Sequence, residues 1–253
     1  MLAAGRGERM RPLTDTTPKP LLQVQGKSLL QWHIEALARD GVTDILINTA
    51  WLGAKIHDYF SSKSLFGLNS SLSISYSMEG VDFGAALETA GGIVRALPRL
   101  EPVFWVLAGD VYTPDFVFSS ASRERFIKSN KLAHLWLVPN PEHNRKGDFG
   151  LAAPTADGLR LALNLPPRST QPQLTFSTIG LYRRELFLPP LCEVPAGNPQ
   201  GVKAALAPLL RRAMDNQQVS AELYSGAWTD VGTPQRLIEL NANDPHETST
   251  RHA

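Results

Sequence analysis

The segment Gly5-Arg6-Gly7-Glu8-Arg9-Met10-Arg11 sets glycines among three arginines. Glycine lets backbone N–H groups come close to phosphate oxygens, and arginine adds positive charge, so the loop suits a small anionic ligand. Two familiar phosphate loops are excluded. A dinucleotide fingerprint needs glycine where Met10 stands, and a P-loop needs Gly-Lys-Ser/Thr after its spacer. A little further on, Thr17-Pro18-Lys19-Pro20 places a lysine between two prolines. The prolines fix φ on both sides, so a flexible cation rides on a stiff segment, an arrangement fit to hold charge against a phosphate. Asp110 closes an apolar run, at the carboxyl edge where α/β sheets bind ligands, although a lone aspartate is equally at home in a turn. No G-x-S-x-G or Cys/His signature supplies a protein nucleophile.

These groups need a frame. Ile45–Ile47, Leu72–Tyr76, Val103–Ala108 and Leu132–Val138 read as strands. The third is continuously apolar, as a strand covered on both faces would be. Between them, Leu29, Leu30, His33, Ile34 and Leu37 recur at helical spacing, with Ser28 as N-cap and Gly41 as stop. His33 lies on that apolar stripe and is read as structural. Ile56, Tyr59 and Phe60 mark a second helix, and Thr89–Leu97 a third that Pro98 ends. Strand–helix alternation implies an α/β fold: a doubly wound, mostly parallel Rossmann-like sheet with right-handed crossovers. Beyond Pro139, short strand-like pieces at Leu151–Ala153, Leu159–Leu165 and Phe176–Tyr182 suggest a smaller, more antiparallel lobe. Helices are expected over Lys203–Met214 and from Pro234 to Leu240. The first strand is short: only Met1 and Leu2 precede Ala3-Ala4-Gly5, so either the true start lies upstream or this strand is unusually brief.

Composition narrows the partners. The 25 Lys and Arg nearly balance 24 Asp and Glu, which argues against a nucleic-acid-wrapping surface. A single cysteine, Cys192, rules out an intramolecular disulfide. No apolar run is long enough to span a bilayer, and no secretory signal is evident, so a cytoplasmic setting without membrane partners is expected.

Met1–Leu22, with LAAGRGERMRPLTDTTPKPLL after its Met, resembles the signature of the sugar-phosphate nucleotidyltransferases. Leu107-Ala108-Gly109-Asp110-Val111, Gly147-Asp148-Phe149-Gly150 and Trp228-Thr229-Asp230-Val231-Gly232-Thr233 resemble further motifs of that family, in the same order. The likeness covers roughly residues 1–240. It implies a single domain over residues 1–243, with a nucleotide-binding half (1–139), a sugar-binding half (140–243) and a frayed tail (244–253). It also implies in-line attack by a sugar 1-phosphate on the α-phosphorus of a nucleoside triphosphate, with pyrophosphate leaving. Arg9 and Lys19 are then the catalytic cations, and Asp110 and Asp230 the ligands of Mg2+, which favours oxygen donors. Ala3, Ala4, Gly5, Gly7, Thr89 and Gly91 would meet the nucleotide. Glu79 would lie beside the base, where a carboxylate accepts from the N–H of uracil, thymine or guanine. Asn140, Asp148 and Thr175 would meet sugar hydroxyls.

Finer details resemble the branch of the family that acts on muramic acid phosphates. They include Asn48-Thr49-Ala50-Trp51-Leu52-Gly53, Leu87-Glu88-Thr89-Ala90-Gly91-Gly92-Ile93 and Val138-Pro139-Asn140-Pro141-Glu142-His143. The implied substrates are UTP and N-acetylmuramate 1-phosphate, for a cell-wall recycling step. Arg145 and Lys146 are candidates for the acceptor's extra carboxylate. Guanylyl or thymidylyl transfer to mannose or glucose 1-phosphate is the alternative within the family. A silent, nucleotide-sugar-binding relative is the alternative of another class, but such a relative should lose the lysine or a metal aspartate, and Arg9, Lys19, Asp110 and Asp230 are all present. A monomer or simple homodimer is expected.

Overall fold

A computed structural model describes residues 1–62, 72–156 and 158–242. The chain begins with β1 (Leu2–Ala3), a short helix α1 (Leu13–Thr16) and the hairpin β2 (Gln23–Val24) and β3 (Lys27–Ser28). Then follow α2 (Leu29–Arg39), β4 (Asp44–Thr49), α3 (Gly53–Ser62), β5 (Ser73–Met78), α4 (Glu79–Phe83) and α5 (Glu88–Ala96). The middle comprises β6 (Val103–Val106), β7 (Val111–Tyr112), α6 (Ser120–Lys128) and β8 (Ala133–Val138). The last part holds β9 (Phe149–Leu151), β10 (Ala162–Leu163), β11 (Gln173–Arg183), α7 (Leu206–Asp215), β12 (Val219–Leu223), β13 (Thr229–Asp230) and α8 (Pro234–Ala242).

Pairing gives one central sheet. β5, β4 and β1 run parallel. A parallel bridge from Leu2 to Ala108 joins β1 to the end of the β6 run. The order continues through β11 and β8 to β12, and β11 alone among these is antiparallel. The sheet is therefore mostly parallel, as the alternation of elements implied. β1 is as short as its sequence suggested, yet it is braced on both sides: Asn48 N–H donates to the Met1 carbonyl, and Leu2 N–H to that of Leu107.

Side-chain period explains why both faces are covered. Along β8, Leu135 and Leu137 enter a core with Ile93 and Val94 of α5 and Leu209 and Leu210 of α7. Trp136 between them enters the opposite core, with Leu30 and Ile34 of α2, Ile56 and Phe60 of α3, and Phe126 of α6. This is the period of two that a doubly wound sheet requires. Helix α2 starts where its cap predicted: Ser28 Oγ accepts from Gln31 N–H at 3.2 Å. Fully buried His33 sits on its apolar face and donates from Nε2 to the Val111 carbonyl at 2.9 Å.

The later elements depart from expectation in their limits. Helix α7 begins at Leu206 rather than Lys203, because Ala204 is engaged elsewhere: its N–H donates to Leu87 and its carbonyl accepts from Ala90 and Gly91. Strand β10 is confined to Ala162–Leu163, and β9 begins at Phe149 rather than Leu151. The expected antiparallel lobe is β10-β9-β11, and β11 continues out of it into the central sheet. A register shift between Phe176 and Gly180 separates the two parts of β11. The tail expected over 244–253 lies outside the described residues.

Candidate active site

A cavity of about 780 Å3 opens at the carboxyl ends of the parallel strands. It lies where chain order reverses between β1 and β6, the usual ligand crevice of an open α/β sheet. Its outer end is the glycine-rich loop. Among the described residues, the N–H groups of Gly5, Arg6 and Gly7 meet no protein acceptor. Successive unpaired backbone donors in a glycine-rich turn are of the kind that binds oxyanions. Gly7 adopts φ +68, and a Cβ there would stand 3.2 Å from Lys19 Cβ. Glycine at this position thus serves both the turn and the approach of the lysine.

The loop's arginines divide by what surrounds them. Arg6 donates to the Thr14 carbonyl and to Asp15, and its guanidinium lies 3.8 Å from the centre of the Trp51 ring. Arg11 also donates to Asp15, whose carboxyl these two arginines hold below its ordinary range. Both are structural. Arg9 has no ion pair among the described residues and lines the cavity. Lys19, 7% exposed, donates from Nζ to Asp110 Oδ2 at 2.6 Å and stands 3.8 Å from Asp230 Oδ1.

Asp230 joins the cluster through the β13–β7 ribbon, where it pairs with Val111. Its Oδ2 accepts from Arg236 of α8 at 3.0 Å and lies 3.2 Å from His143 Nε2. Burial and the neighbouring cations Arg236 and Arg9 hold the His143 imidazole below its ordinary pKa, despite Asp230. The neutral ring therefore donates to the carboxylate. No motif had singled out His143 or Arg236, although His143 lies within the Val138–His143 resemblance. Among the described residues, no cluster of three or more His, Cys, Asp and Glu could hold a metal by itself. Asp110 and Asp230 both approach Lys19 Nζ, at 2.6 and 3.8 Å, beside the glycine-rich loop, and carboxylates so placed suit an ion such as Mg2+ that completes its shell with ligand oxygens. Gly109 leaves no special room for such a ligand. A Cβ there would meet Leu30 Cδ1 at 2.9 Å, so this glycine serves packing.

Of the residues expected to meet the nucleotide, Ala3, Ala4, Gly5, Gly7 and Thr89 all line the cavity. Two do not. Glu79 is fully buried and does not face the cavity. Its Oε1 accepts from Asn48 Nδ2 at 2.7 Å and its Oε2 from Leu87 N–H at 2.8 Å. Burial raises its pKa, against the pull of those two donors. Asn48, at the carboxyl end of β4, lines the cavity and accepts from Ala3 N–H at 2.9 Å. Glu79 thus positions a cavity residue instead of meeting a base. A Cβ at Gly92 would fall 2.5 Å from Glu79 Oε1, so this arrangement requires glycine at 92. Gly91 is the second correction: its N–H is taken by the Ala204 carbonyl, and it packs against Val202.

At the sugar side, Asp148 lines the cavity and accepts from Phe176 N–H at 2.8 Å and Asn144 Nδ2 at 3.2 Å. Asn140 and Thr175 lie behind it. Thr175 Oγ1 donates to Asn140 Oδ1 and accepts from Asn144 Nδ2. They brace the turn that presents Asp148, and neither faces the cavity. Arg145 opens instead on a separate cleft with His143, Trp228 and Arg236, and Lys146 faces neither.

A glycine-rich loop with unpaired N–H groups, a shielded lysine and two carboxylates beside it, at the switch point of a doubly wound sheet, are the arrangement of a nucleotide-handling α/β protein. Comparison with known proteins specifies which kind. Residues 1–247 match the family described as Nucleotidyl transferase, and the chain belongs to it. It is 46% identical to the N-acetylmuramate alpha-1-phosphate uridylyltransferase of Neisseria meningitidis serogroup B, over 96% of each chain. It is 27% identical to the bifunctional protein GlmU of Methanocaldococcus jannaschii, matching over 95% of this chain and spanning about half (52%) of that relative. The fold is similar to that of a UDP-glucose pyrophosphorylase from Acinetobacter baumannii, with a TM-score of 0.72 at 18% identity, covering 95% of this chain and 90% of that one. Among the described residues no helix is long and apolar enough to cross a membrane.

Proposed function

We propose that the chain transfers a uridylyl group from UTP to N-acetylmuramate 1-phosphate, giving UDP-N-acetylmuramate and pyrophosphate, and that it works in the cytoplasm in recycling of cell-wall sugars. The observation that carries the reaction is Lys19 Nζ held against Asp110 and near Asp230 beneath the glycine-rich loop. The 46% identity to a relative of that name supports the choice of substrates.

Both reactants are anions, so catalysis rests on alignment and charge neutralisation. The N–H groups of Gly5, Arg6 and Gly7 and the side chain of Arg9 bind the triphosphate. Lys19 offsets charge that grows on the α-phosphate as the acceptor's phosphate oxygen attacks and pyrophosphate departs. Asp110 and Asp230 would hold Mg2+, which supplies Lewis-acid neutralisation of the phosphates. His143 and Arg236 orient the Asp230 carboxylate. Asn48, held by Glu79, fixes the edge of the nucleotide pocket at Ala3, and Asp148 accepts from a sugar hydroxyl.

The test is pyrophosphate release with Mg2+, pairing UTP, dTTP or GTP with the 1-phosphates of N-acetylmuramate, N-acetylglucosamine, glucose and mannose. Release confined to UTP with the muramate phosphate is expected. Preference for another pair would replace the substrates, and silence with every pair would overturn catalysis.

A further inference from the structure

The ribbon that carries the two carboxylates stands apart from the central sheet. It consists of β7 and β13, two residues each, and among the described residues each of these strands pairs only with the other. Asp110 immediately precedes β7 and Asp230 ends β13, so the ribbon sets how the two carboxylates face one another. A two-stranded ribbon is marginal alone and takes its position from what packs on it. Within it, Val231 N–H donates to the Asp110 carbonyl at 3.1 Å. Backbone groups along a strand alternate in direction, so the next carbonyl, that of Val111, points away from β13. Fully buried His33 of α2 meets it there, donating from Nε2 at 2.9 Å.

Helix α2 grips this segment on both sides of Asp110. Leu30 and His33 lie one turn apart on its buried face. Leu30 packs on Gly109, where a Cβ would stand 2.9 Å from its Cδ1, and His33 bonds to Val111. Beneath the ribbon a small core gathers Leu29 of α2 with Met10, Tyr112 and Val231. Met10 follows Arg9 in the chain, and Val231 follows Asp230. The loop cation and both carboxylates thus rest on one mount. Apolar contacts hold such a mount together without fixing direction, whereas a hydrogen bond fixes both distance and angle. A leucine would fill the apolar stripe of α2 at no desolvation cost. The imidazole in its place satisfies a buried carbonyl one residue from a carboxylate of the site.

We propose that His33 is a positioning residue for the reaction: by holding the Val111 carbonyl it sets the β7–β13 ribbon, and with it the placement of Asp110 and Asp230 around the ion they would share. This inference rests on the reading of those two aspartates as Mg2+ ligands.

Two readouts test it: the factor by which Mg2+ tightens UTP binding, taken by calorimetry without acceptor, and the Mg2+ concentration that half-saturates pyrophosphate release. His33→Leu keeps the apolar stripe and leaves the carbonyl unpaired. It should cut the Mg2+ enhancement of UTP binding by about 10-fold and raise the half-saturating Mg2+ by a similar factor, while UTP affinity without Mg2+ holds. His33→Gln carries an amide donor about as far from the backbone as Nε2 and should restore both readouts, a rescue that packing alone would not produce. If His33→Leu folds poorly, His33→Asn, whose donor falls short of the carbonyl, replaces it in the comparison with His33→Gln below both melting temperatures. Unchanged Mg2+ coupling in His33→Leu, or equal coupling in the Asn and Gln variants, overturns the positioning role and leaves the metal reading standing. Wild-type UTP binding indifferent to Mg2+ overturns the metal reading and this inference with it.

Discussion

Side chains of one type differ in this site by what lies beside them. Arg6, Arg9 and Arg11 share a loop, and nothing in their spacing separates them. Asp15 and Trp51 absorb Arg6, Asp15 also holds Arg11, and Arg9 is left to face the cavity. Arg9→Ala should therefore raise the KM for the triphosphate by about 10- to 100-fold, whereas Arg6→Ala should leave turnover within about 3-fold and lower the melting temperature. Steady-state kinetics beside a thermal melt checks both. Lys19→Met should reduce kcat by about 100- to 1000-fold, the usual loss when one preorganised charge donor is removed. Lys19 was legible in the sequence because its positioning is local, set by the prolines on either side. Glu79 was misread because its partners, Asn48 and Leu87, come from other elements. Glu79→Gln would turn an amide donor towards one of those two donors. A destabilisation of about 1–3 kcal/mol is expected, with similar KM increases for UTP, dTTP and GTP. A selective change in base preference would instead restore direct contact with the base.

Elements were easier to read than their limits. Helix α2 announced itself through its apolar spacing and its serine cap, both local signals. The start of α7 did not, because residue 204 bonds to Leu87, Ala90 and Gly91 across the cavity rim. The fate of β11 was equally hidden, since nothing local says that one run of residues serves two sheets. His33 ties α2 to β7 and gives this packing a pH signature. Burial lowers its pKa to about 4. The unfolded chain therefore binds a proton between pH 6.5 and 4 that the folded chain refuses, so stability is complete above about pH 6.5 and falls as pH drops towards 4. The loss amounts to about 3 kcal/mol. Urea titrations across this range should show the decline, and His33→Gln should flatten it.

In the whole molecule, sequence order and spatial order diverge. The resemblance suggested a nucleotide half ending at residue 139 and a sugar half beginning at 140. Yet β11, from the second half, lies between β6 and β8 of the first, and β12 flanks β8. The core that holds Ile93 and Leu135 also holds Tyr182, Leu209 and Val219. A polypeptide stopping at residue 139 would leave β6 and β8 facing an empty track, with their backbone groups and apolar side chains exposed. The two stretches are thus interlocked, not appended modules. Expressed apart, each should remain unfolded or aggregate by circular dichroism. Expressed together from separate messages, they should assemble and recover pyrophosphate release, making this fold a candidate for a split enzyme whose activity reports that its halves have met.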